Sequence, residues 1–484
     1  MKKTQIILAA LAAISTAHFA SAQTSVVITG STAFRASASN AIRNVFTASG
    51  NSLTGYAYSG TSFTGATYQT FVGNISGMSN PVTVKTQWTG AVAGINAVSN
   101  QATVNVSVLP DTQPISSGGT SGASITSNVS AKADIGFADN LQSSTAFTTN
   151  ALAQEKVGII PFAWVAGKDA IPGITNITHQ MARSLLTNGV VRASQFTGVA
   201  TDSQTIYAGG RDNLSGTRVT TLAELGYGTQ NGVTQFKPAT FGTGTSANVV
   251  STIDIQTLNG NNGETSGGTL ANYARYTTNT ASDVFNGVQD NPAFIIYVGE
   301  ADSYAAVYGV GGGVTGNGAG NGRYLTYNGV KAFDGVAKSP ASVTTTAGSP
   351  ILTGLTDTTG VIAGQIVSGN NIAGGSVVVS TTSTTITLDK NVLAGGTTTN
   401  ARIGALIASV VREGAYPFWN YEYVNYLASR VNSASGTEPI KSKGVFKNLL
   451  AGRVSGFDYG FSGLADDASF KVARGEDGGV LTAK

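Results

Sequence analysis

Gly209-Gly210-Arg211-Asp212-Asn213-Leu214-Ser215-Gly216-Thr217-Arg218 is the stretch around which the chain is organised. Upstream, Thr205-Ile206-Tyr207 reads as a short strand, and downstream residues 219–226 read as a helix stopped by Gly226. Ser215, Gly216 and Thr217 then stand at a helix N-terminus, where unpaired N–H groups and the positive end of the dipole attract an anion. Gly216 lets a ligand approach the backbone, and the two hydroxyls add donors. Arg211, four residues before Ser215, offers a planar fork of N–H groups suited to a tetrahedral oxyanion. The plain alternative is that Ser215 only caps the helix and Arg211 is a solvated charge.

The chain of 484 residues opens with Met1-Lys2-Lys3, an apolar run from Ile6 to Ile14, and Ala20-Ser21-Ala22 before Gln23. A charged start, a short apolar core and a small-residue cleavage site predict a secretory signal peptide over residues 1–22. That run is too short to span a bilayer and no later segment is long and apolar enough, so no membrane insertion is expected. Without any cysteine there is neither a disulfide framework nor a lipid anchor on cysteine, and the expected location is the periplasm or outside the cell. Losing Lys2 and Lys3 lowers the net charge from +3 to +1, and only 11% of residues are charged, which argues against a nucleic-acid partner. Of the two histidines only His179 remains after cleavage, so histidine metal sites are not expected, and a single Ser/His/Asp triad stays formally open. No cofactor is implied.

Three further segments share the strand-then-turn pattern. Residues 25–29 form a strand before Gly30-Ser31-Thr32-Ala33-Phe34, and a helix with Ala38, Ile42, Val45 and Phe46 on its apolar side follows. Strand 82–86 leads through Trp88-Thr89-Gly90 into a helix over Ala91–Val98, with residues 50–79 as a loop or hairpin insertion and 104–129 as another polar insertion. Ala133-Asp134-Ile135-Gly136-Phe137-Ala138-Asp139-Asn140 ends a strand in a pair of acids. Val157–Val165 and Ala293–Gly299 read as buried strands, residues 177–196 as helical and broken at Gly189, and Leu270–Tyr276 as a helix. Gly309–Gly322 is a glycine-rich loop without the lysine of a nucleotide loop. Residues 339–403 lose nearly all charge and alternate Val/Ile with Thr/Ser between Gly and Asn turns, a small all-β unit. Beyond Glu413-Gly414-Ala415-Tyr416-Pro417-Phe418-Trp419, helices are expected over Tyr421–Val431 and around Leu449-Leu450.

Arg211-x-x-x-Ser215-Gly216-Thr217, with Gly30-Ser31-Thr32, Asp134-x-Gly136-x-x-Asp139 and Gly414-x-Tyr416-Pro417, resembles the phosphate-binding proteins of bacterial ABC transporters, in the type II periplasmic-binding-protein superfamily. The resemblance covers most of residues 25–335 and 405–460. It implies an α/β, two-lobed fold with hinge strands, here carrying the all-β insertion. The chain then divides into lobe 1 over 23–160, lobe 2 over 161–295, a return to lobe 1 over 296–338, the insertion over 339–403, and the end of lobe 1 over 404–484. It implies a non-enzymatic solute-binding protein for inorganic phosphate or a similar oxyanion, with an ABC permease as partner. The implied ligand-binding residues are Ser31, Thr32 and the N–H near Phe34, then Asp139, Arg211, Ser215, Gly216 and Thr217. Where the family has serines in its second loop this chain has Ala91 and Val92, with Thr89 as a substitute, and Asn213 stands for an acid that orients the arginine, a role open to Asp212. Phosphate near neutral pH carries a proton that Asp139 can accept; sulfate carries none and is repelled. The alternative from another class is a secreted surface or adhesion protein using the same scaffold with the β insertion as its working part. A hydrolase built on Ser215 or Asp139 lacks an evident base.

Overall fold

The computed structural model describes residues 23–124, 129–238, 253–255, 262–275, 292–309, 322–335, 338, 342–369, 371–398, 401–456 and 463–484. The expected signal peptide and nearly all of the glycine-rich loop at 309–322 lie outside these. The first half is built from β1 (Thr24–Gly30), α1 (Arg35–Thr47), β2 (Ser52–Tyr58), β3 (Tyr68–Asn74), β4 (Val82–Trp88), α2 (Ala91–Ser99) and β5 (Ile135–Ala138). The long strand β6 (Ala153–Ala166) leads into α3 (His179–Asn188), β7 (Val190–Arg192), β8 (Thr205–Gly209), α4 (Gly216–Glu224) and α5 (Gly267–Arg275). There follow β9 (Ala293–Gly299), α6 (Glu300–Tyr308), β10 (Trp419–Tyr426) and α7 (Glu438–Gly456).

The strands join in one mixed sheet of order β7-β8-β9-β6-β10-β5-β1-β4-β3-β2, with Arg323–Tyr324 added beside β6. β6 makes it two lobes. Its residues 153–161 pair antiparallel with β10, and its residues 162–166 pair antiparallel with β9. One uninterrupted strand therefore belongs to both half-sheets, and bending there moves one half against the other. In the first half β1 runs parallel to β4 and β5; in the second β8 runs parallel to β9. Parallel strands are covered on both faces, which is why Val26, Val27, Ile28, Phe294, Ile295 and Ile296 are all buried. Among the described residues no helix is long and apolar enough to cross a membrane.

Three expectations change. The helix expected over 177–196 ends at Asn188, because Gly189 takes φ 74° and the β-branched Val190 and Val191 pair with β8. The loop or hairpin expected at 50–79 narrows to the hairpin: β2 and β3 pair antiparallel and extend the main sheet at its edge. The helix expected over Tyr421–Val431 is instead β10, central in the sheet between β5 and β6. Five of its eight residues are aromatic or β-branched (Trp419, Tyr421, Tyr423, Val424 and Tyr426), and that composition favours a pleated, packed surface.

The β-rich insertion has a core of its own, with Val343, Leu352, Val367, Ile386 and Ile403 among its members. Its strands Ile351–Leu352, Ile386–Leu388, Ser376–Thr381, Gln365–Ser368 and Arg402–Ile407 form one sheet in that order. Its two ends meet: Lys338 and Ile403 exchange backbone hydrogen bonds of 2.8 Å in each direction. Replacing residues 339–402 with a short Gly-Ser turn should therefore leave a folded protein that unfolds in one cooperative transition. Circular dichroism with calorimetry checks this, and loss of the native far-UV signal would place the insertion within the main core.

Candidate functional site

The parallel strands of both halves end on the same side, toward one another, the position where open α/β sheets bind ligands. Ser31, Thr32 and Ala33 follow β1, Gly90 and Ala91 follow β4, and Asp139 follows β5; Arg211, Ser215, Gly216 and Thr217 follow β8. These ten residues line one small, partly open cavity, whose roughly 120 Å3 of space between atoms includes its mouth to solvent and leaves almost no room for a water molecule. Ser215 is the N-cap of α4, its Oγ accepting from the Arg218 N–H, and Gly216 and Thr217 open the helix without intrahelical acceptors for their N–H groups. Both halves of the plain reading and the anion reading are thus compatible at Ser215: it caps the helix and lines the cavity. Gly216 is forced by closeness, since a Cβ there would lie 1.9 Å from Asp139 Oδ1 and 2.6 Å from Ala91 Cβ.

Arg211 is not a solvated charge. It is 1% exposed, and its guanidinium is held by backbone carbonyls: Nε donates to Glu264 O at 2.9 Å and Nη2 to Thr265 O at 2.9 Å. Nη2 also reaches Thr32 Oγ1 at 3.3 Å, which ties the two halves together across the cavity. Its own backbone is fixed from behind, the N–H donating to Tyr297 Oη at 3.2 Å and the carbonyl accepting from Arg218 Nη1 at 3.1 Å and Gln235 Nε2 at 3.2 Å. Nη1 is buried and has no hydrogen-bond partner. A guanidinium held at two of its nitrogens with the third unmatched keeps donor capacity to spare.

Asp139 stands opposite. It is 1% exposed, and no group makes a well-formed hydrogen bond to either carboxylate oxygen, although its own backbone N–H and the Ser31 hydroxyl bear on it. Its carbonyl is well held, by Thr220 Oγ1 from α4 at 3.0 Å and by Asn420 Nδ2 from β10 at 2.9 Å, so the residue cannot swing away to solvent. Burial pushes its pKa up to about 6, against the opposing pull of its own backbone N–H, Arg211 and the Ser31 hydroxyl. The carboxyl thus sits where it can accept a proton-bearing ligand near neutral pH and can itself become a donor slightly below.

Two of the nine residues expected in the site do not line it. Thr89 precedes the first turn of α2, is half-buried and stays outside the cavity. Phe34 packs into the core against Phe137, with ring centroids 5.9 Å apart, and its N–H is taken by Ser31 Oγ at 3.2 Å. The second loop also departs in its backbone: the N–H groups of Val92 and Ala93 donate to Leu214 O from the other half, at 3.1 and 3.3 Å, and so are not turned to a ligand. Asp212 does not orient the arginine; its Oδ1 accepts from the Leu214 N–H, and the Glu264 and Thr265 carbonyls hold the guanidinium instead. His179 lies at the start of α3, its N–H donating to Asn328, away from the cavity. Gln235, Tyr297 and Asn420 escaped the sequence reading. Asn420, a polar residue inside an aromatic strand, carried a signal; carbonyl donors to an arginine carry none.

No family model matches the chain, and no curated protein matches it. Among solved structures it is similar to a protein from Clostridium perfringens assigned as a phosphate ABC transporter substrate-binding protein and solved with bound phosphate. That match has 12% identity and TM-score 0.37, and covers 88% of this chain and 92% of the other. It is similar to an ABC-type phosphate transport receptor from Vibrio cholerae, at 11% identity and TM-score 0.35, over 88% and 98% of the two chains. A possible phosphate binding protein from Planctomyces limnophilus DSM 3776 matches at 10% identity and TM-score 0.31, over 89% and 99%. Likeness at this level leaves the ligand to be argued from this chain's own residues.

The raised pKa of Asp139 has a stability consequence. A folded-state pKa above the ordinary 3.8 costs nothing while the carboxyl is protonated in both states, and the cost grows as the pH rises through about 6. The full rise is worth up to about 3 kcal/mol. Asp139→Asn should accordingly raise the melting temperature of the ligand-free protein at pH well above 6 and have little effect in acid. Thermal scans across pH check this; equal effects at both ends would mean the carboxyl is solvated.

Proposed function

We propose that the chain is an extracytoplasmic solute-binding protein that captures inorganic phosphate or a similar tetrahedral oxyanion in the interlobe cavity, without catalysis. One observation carries the reading. The buried, unmatched Nη1 of Arg211 and the bare carboxylate of Asp139 line the same cavity, with the hydroxyls of Ser31, Thr32, Ser215 and Thr217 around them. A cation alone suits any anion. A cation beside an acceptor suits an anion that still carries a proton, which phosphate does at neutral pH. Donors come from the ends of β1 and β8, and the α4 N-terminus adds two N–H groups and the helix dipole. Three of the four expected loops then serve the ligand, the second having its N–H groups engaged elsewhere. The reading includes a cleaved signal peptide over 1–22, an ABC permease as the receiving partner, and the division into lobes and insertion set out above.

A second reading has some support of its own. Four of the seven exposed large apolar side chains among the described residues, Ile351, Ile362, Val379 and Leu393, belong to the insertion. A secreted surface protein would use that unit for contact and keep the lobes as a scaffold. Calorimetric titration with phosphate, sulfate and molybdate separates the two, since a scaffold has no reason to bind any of them.

Arg211→Ala should abolish phosphate binding. Truncating one partner of a buried charge-assisted contact costs about 2–5 kcal/mol, or roughly two to three decades or more in affinity. Arg211→Lys should recover little, because a point charge cannot use the two carbonyls and the ligand together. Affinity within a factor of about two of the unmutated protein in Arg211→Ala would remove the centre of the reading.

Selectivity should depend on pH in a defined direction. Above about pH 6 Asp139 is charged and phosphate is preferred; below it the protonated carboxyl becomes a donor and sulfate binding improves. Asp139→Asn should narrow the gap at neutral pH and remove its pH dependence. Tighter binding of sulfate than phosphate by the unmutated protein at neutral pH would mean that Asp139 does not face the ligand.

A further inference from the structure

Behind Asp139 lies a second carboxyl that the binding site does not use. β10 and β5 pair antiparallel as far as Tyr423 opposite Ala138, and Glu422 and Asp139 are the next residues along the two strands from that pair. On the other side of β10 the residue opposite Glu422 is Gly158, which contributes no side chain. The place a Cβ would take there is faced by Leu464 O and the Phe34 ring, and that carbonyl already accepts from the Ile159 N–H. Glu422 is 0% exposed, and both of its carboxyl oxygens lack a hydrogen-bond partner. Two buried carboxyls thus follow the last β5–β10 pair, close enough for the charge of Asp139 to act on Glu422.

We propose that Asp139 and Glu422 form a proton-sharing dyad in which Glu422 holds the proton, leaving Asp139 as the single charged acceptor that faces the cavity. Glu422 is then a positioning residue for specificity. The inference rests on reading the cavity as an oxyanion site. Like charges this close and this buried do not both ionise, and the two groups titrate as a pair. The proton goes to Glu422 because everything that favours charge acts on Asp139: its own backbone N–H, Arg211 and Ser31. Burial and the charge of Asp139 both hold Glu422 well above the usual carboxylate range, with nothing opposing them.

The remaining charges nearby do not alter this. Asp477, from the C-terminal segment, opposes charge on Asp139, but it is itself tied by Asn420 Nδ2 at 2.7 Å and the Leu141 N–H at 2.8 Å, and burial and the charge of Asp139 still hold Glu422 well above the usual carboxylate range. Lys156 of β6 lies over the Tyr421 ring at 3.6 Å and Arg474 over the Trp419 ring at 4.3 Å, both against the odd-numbered side chains of β10, opposite to Glu422. α2, which also packs on β10, carries no charged residue. When the second proton leaves on the alkaline side, the dyad holds two negative charges and repels any anion. The proton lost goes to solvent, and no other group is needed to balance it.

Two measurements on the full chain test this. Infrared spectra of the ligand-free protein at neutral pH should show a carboxylic-acid C=O band that Glu422→Gln removes and Asp139→Asn shifts. Phosphate titrations from about pH 8 to about pH 10, where the ligand keeps one charge state, should show the unmutated protein losing about tenfold in affinity per pH unit once the second proton leaves. Glu422→Gln should hold its affinity over that range. Absence of the band, its survival in Glu422→Gln, or parallel pH profiles in the two proteins would overturn the dyad. Failure of the unmutated protein to bind phosphate at any pH would overturn the oxyanion reading instead, and the infrared spectra would still decide whether Glu422 carries a proton. Should Glu422→Gln fail to fold, the band and its shift in Asp139→Asn decide alone: a band that does not respond to residue 139 overturns the pairing.

Discussion

The structure turns on a buried guanidinium. Removing an ion from water costs several kcal/mol even after relaxation, and the cost is recovered only by well-placed partners. Arg211 has three such contacts, two of them backbone carbonyls, and none is a carboxylate. Carbonyl oxygens supply partial charge without neutralising the cation. Asp139, Asp212 and Asp302 act on the cation through space rather than by contact, so part of its stabilisation is left to whatever occupies the cavity.

The same logic runs in reverse on the facing wall. Asp139 is held by its carbonyl rather than its carboxylate, so the side chain is placed but not neutralised. An unmatched donor and an unmatched acceptor across a small cavity prefer a ligand that can accept from one and donate to the other. That is a stronger constraint than charge alone, because a wrong partner leaves a buried group unpaired, at about 1–3 kcal/mol or more. The fold delivers both walls by one device: parallel strands from two half-sheets ending toward a common cleft, with β6 running through both.

Much of this could be read in the residues in order. An apolar run, then Gly and Ser or Thr, then a helical period is a local pattern, and it placed Ser31, Thr32, Asp139, Arg211, Ser215, Gly216 and Thr217 correctly at the ends of strands. What escaped was long-range. β10 alternates aromatic residues with Asn420 and Glu422, and its polar positions read as a solvated helix face until the pairing with β5 and β6 buries them. Thr89 is adjacent in sequence to the second loop, but α2 begins only at Ala91, and the threonine is left outside the cavity. The carbonyls of Leu214, Glu264 and Thr265 belong to the backbone and have no side-chain signature at all.

The second loop shows how a lost side chain changes the way a site closes. Leu214 O, from the turn before α4, caps the α2 N-terminus by accepting from both Val92 and Ala93, and Gly90 takes φ 130° because a Cβ there would lie 2.5 Å from that oxygen. With Thr220 to Asp139 O and Gln230 to Ser144 O, several hydrogen bonds cross from α4 and its neighbours to the first half. Each is worth a net 0.5–1.5 kcal/mol or about that, so together they favour the closed arrangement by a few kcal/mol before any ligand contributes. Apparent affinity scales with the fraction of molecules already in the binding-competent form. Serines at 91 and 92 would donate to an anion but would also offer the α2 N-terminus local caps that compete with Leu214 O. With Ala91 and Val92 at its start and Gly90 before it, the α2 N-terminus has no side-chain cap of its own, and the Leu214 carbonyl of the other half fills that place.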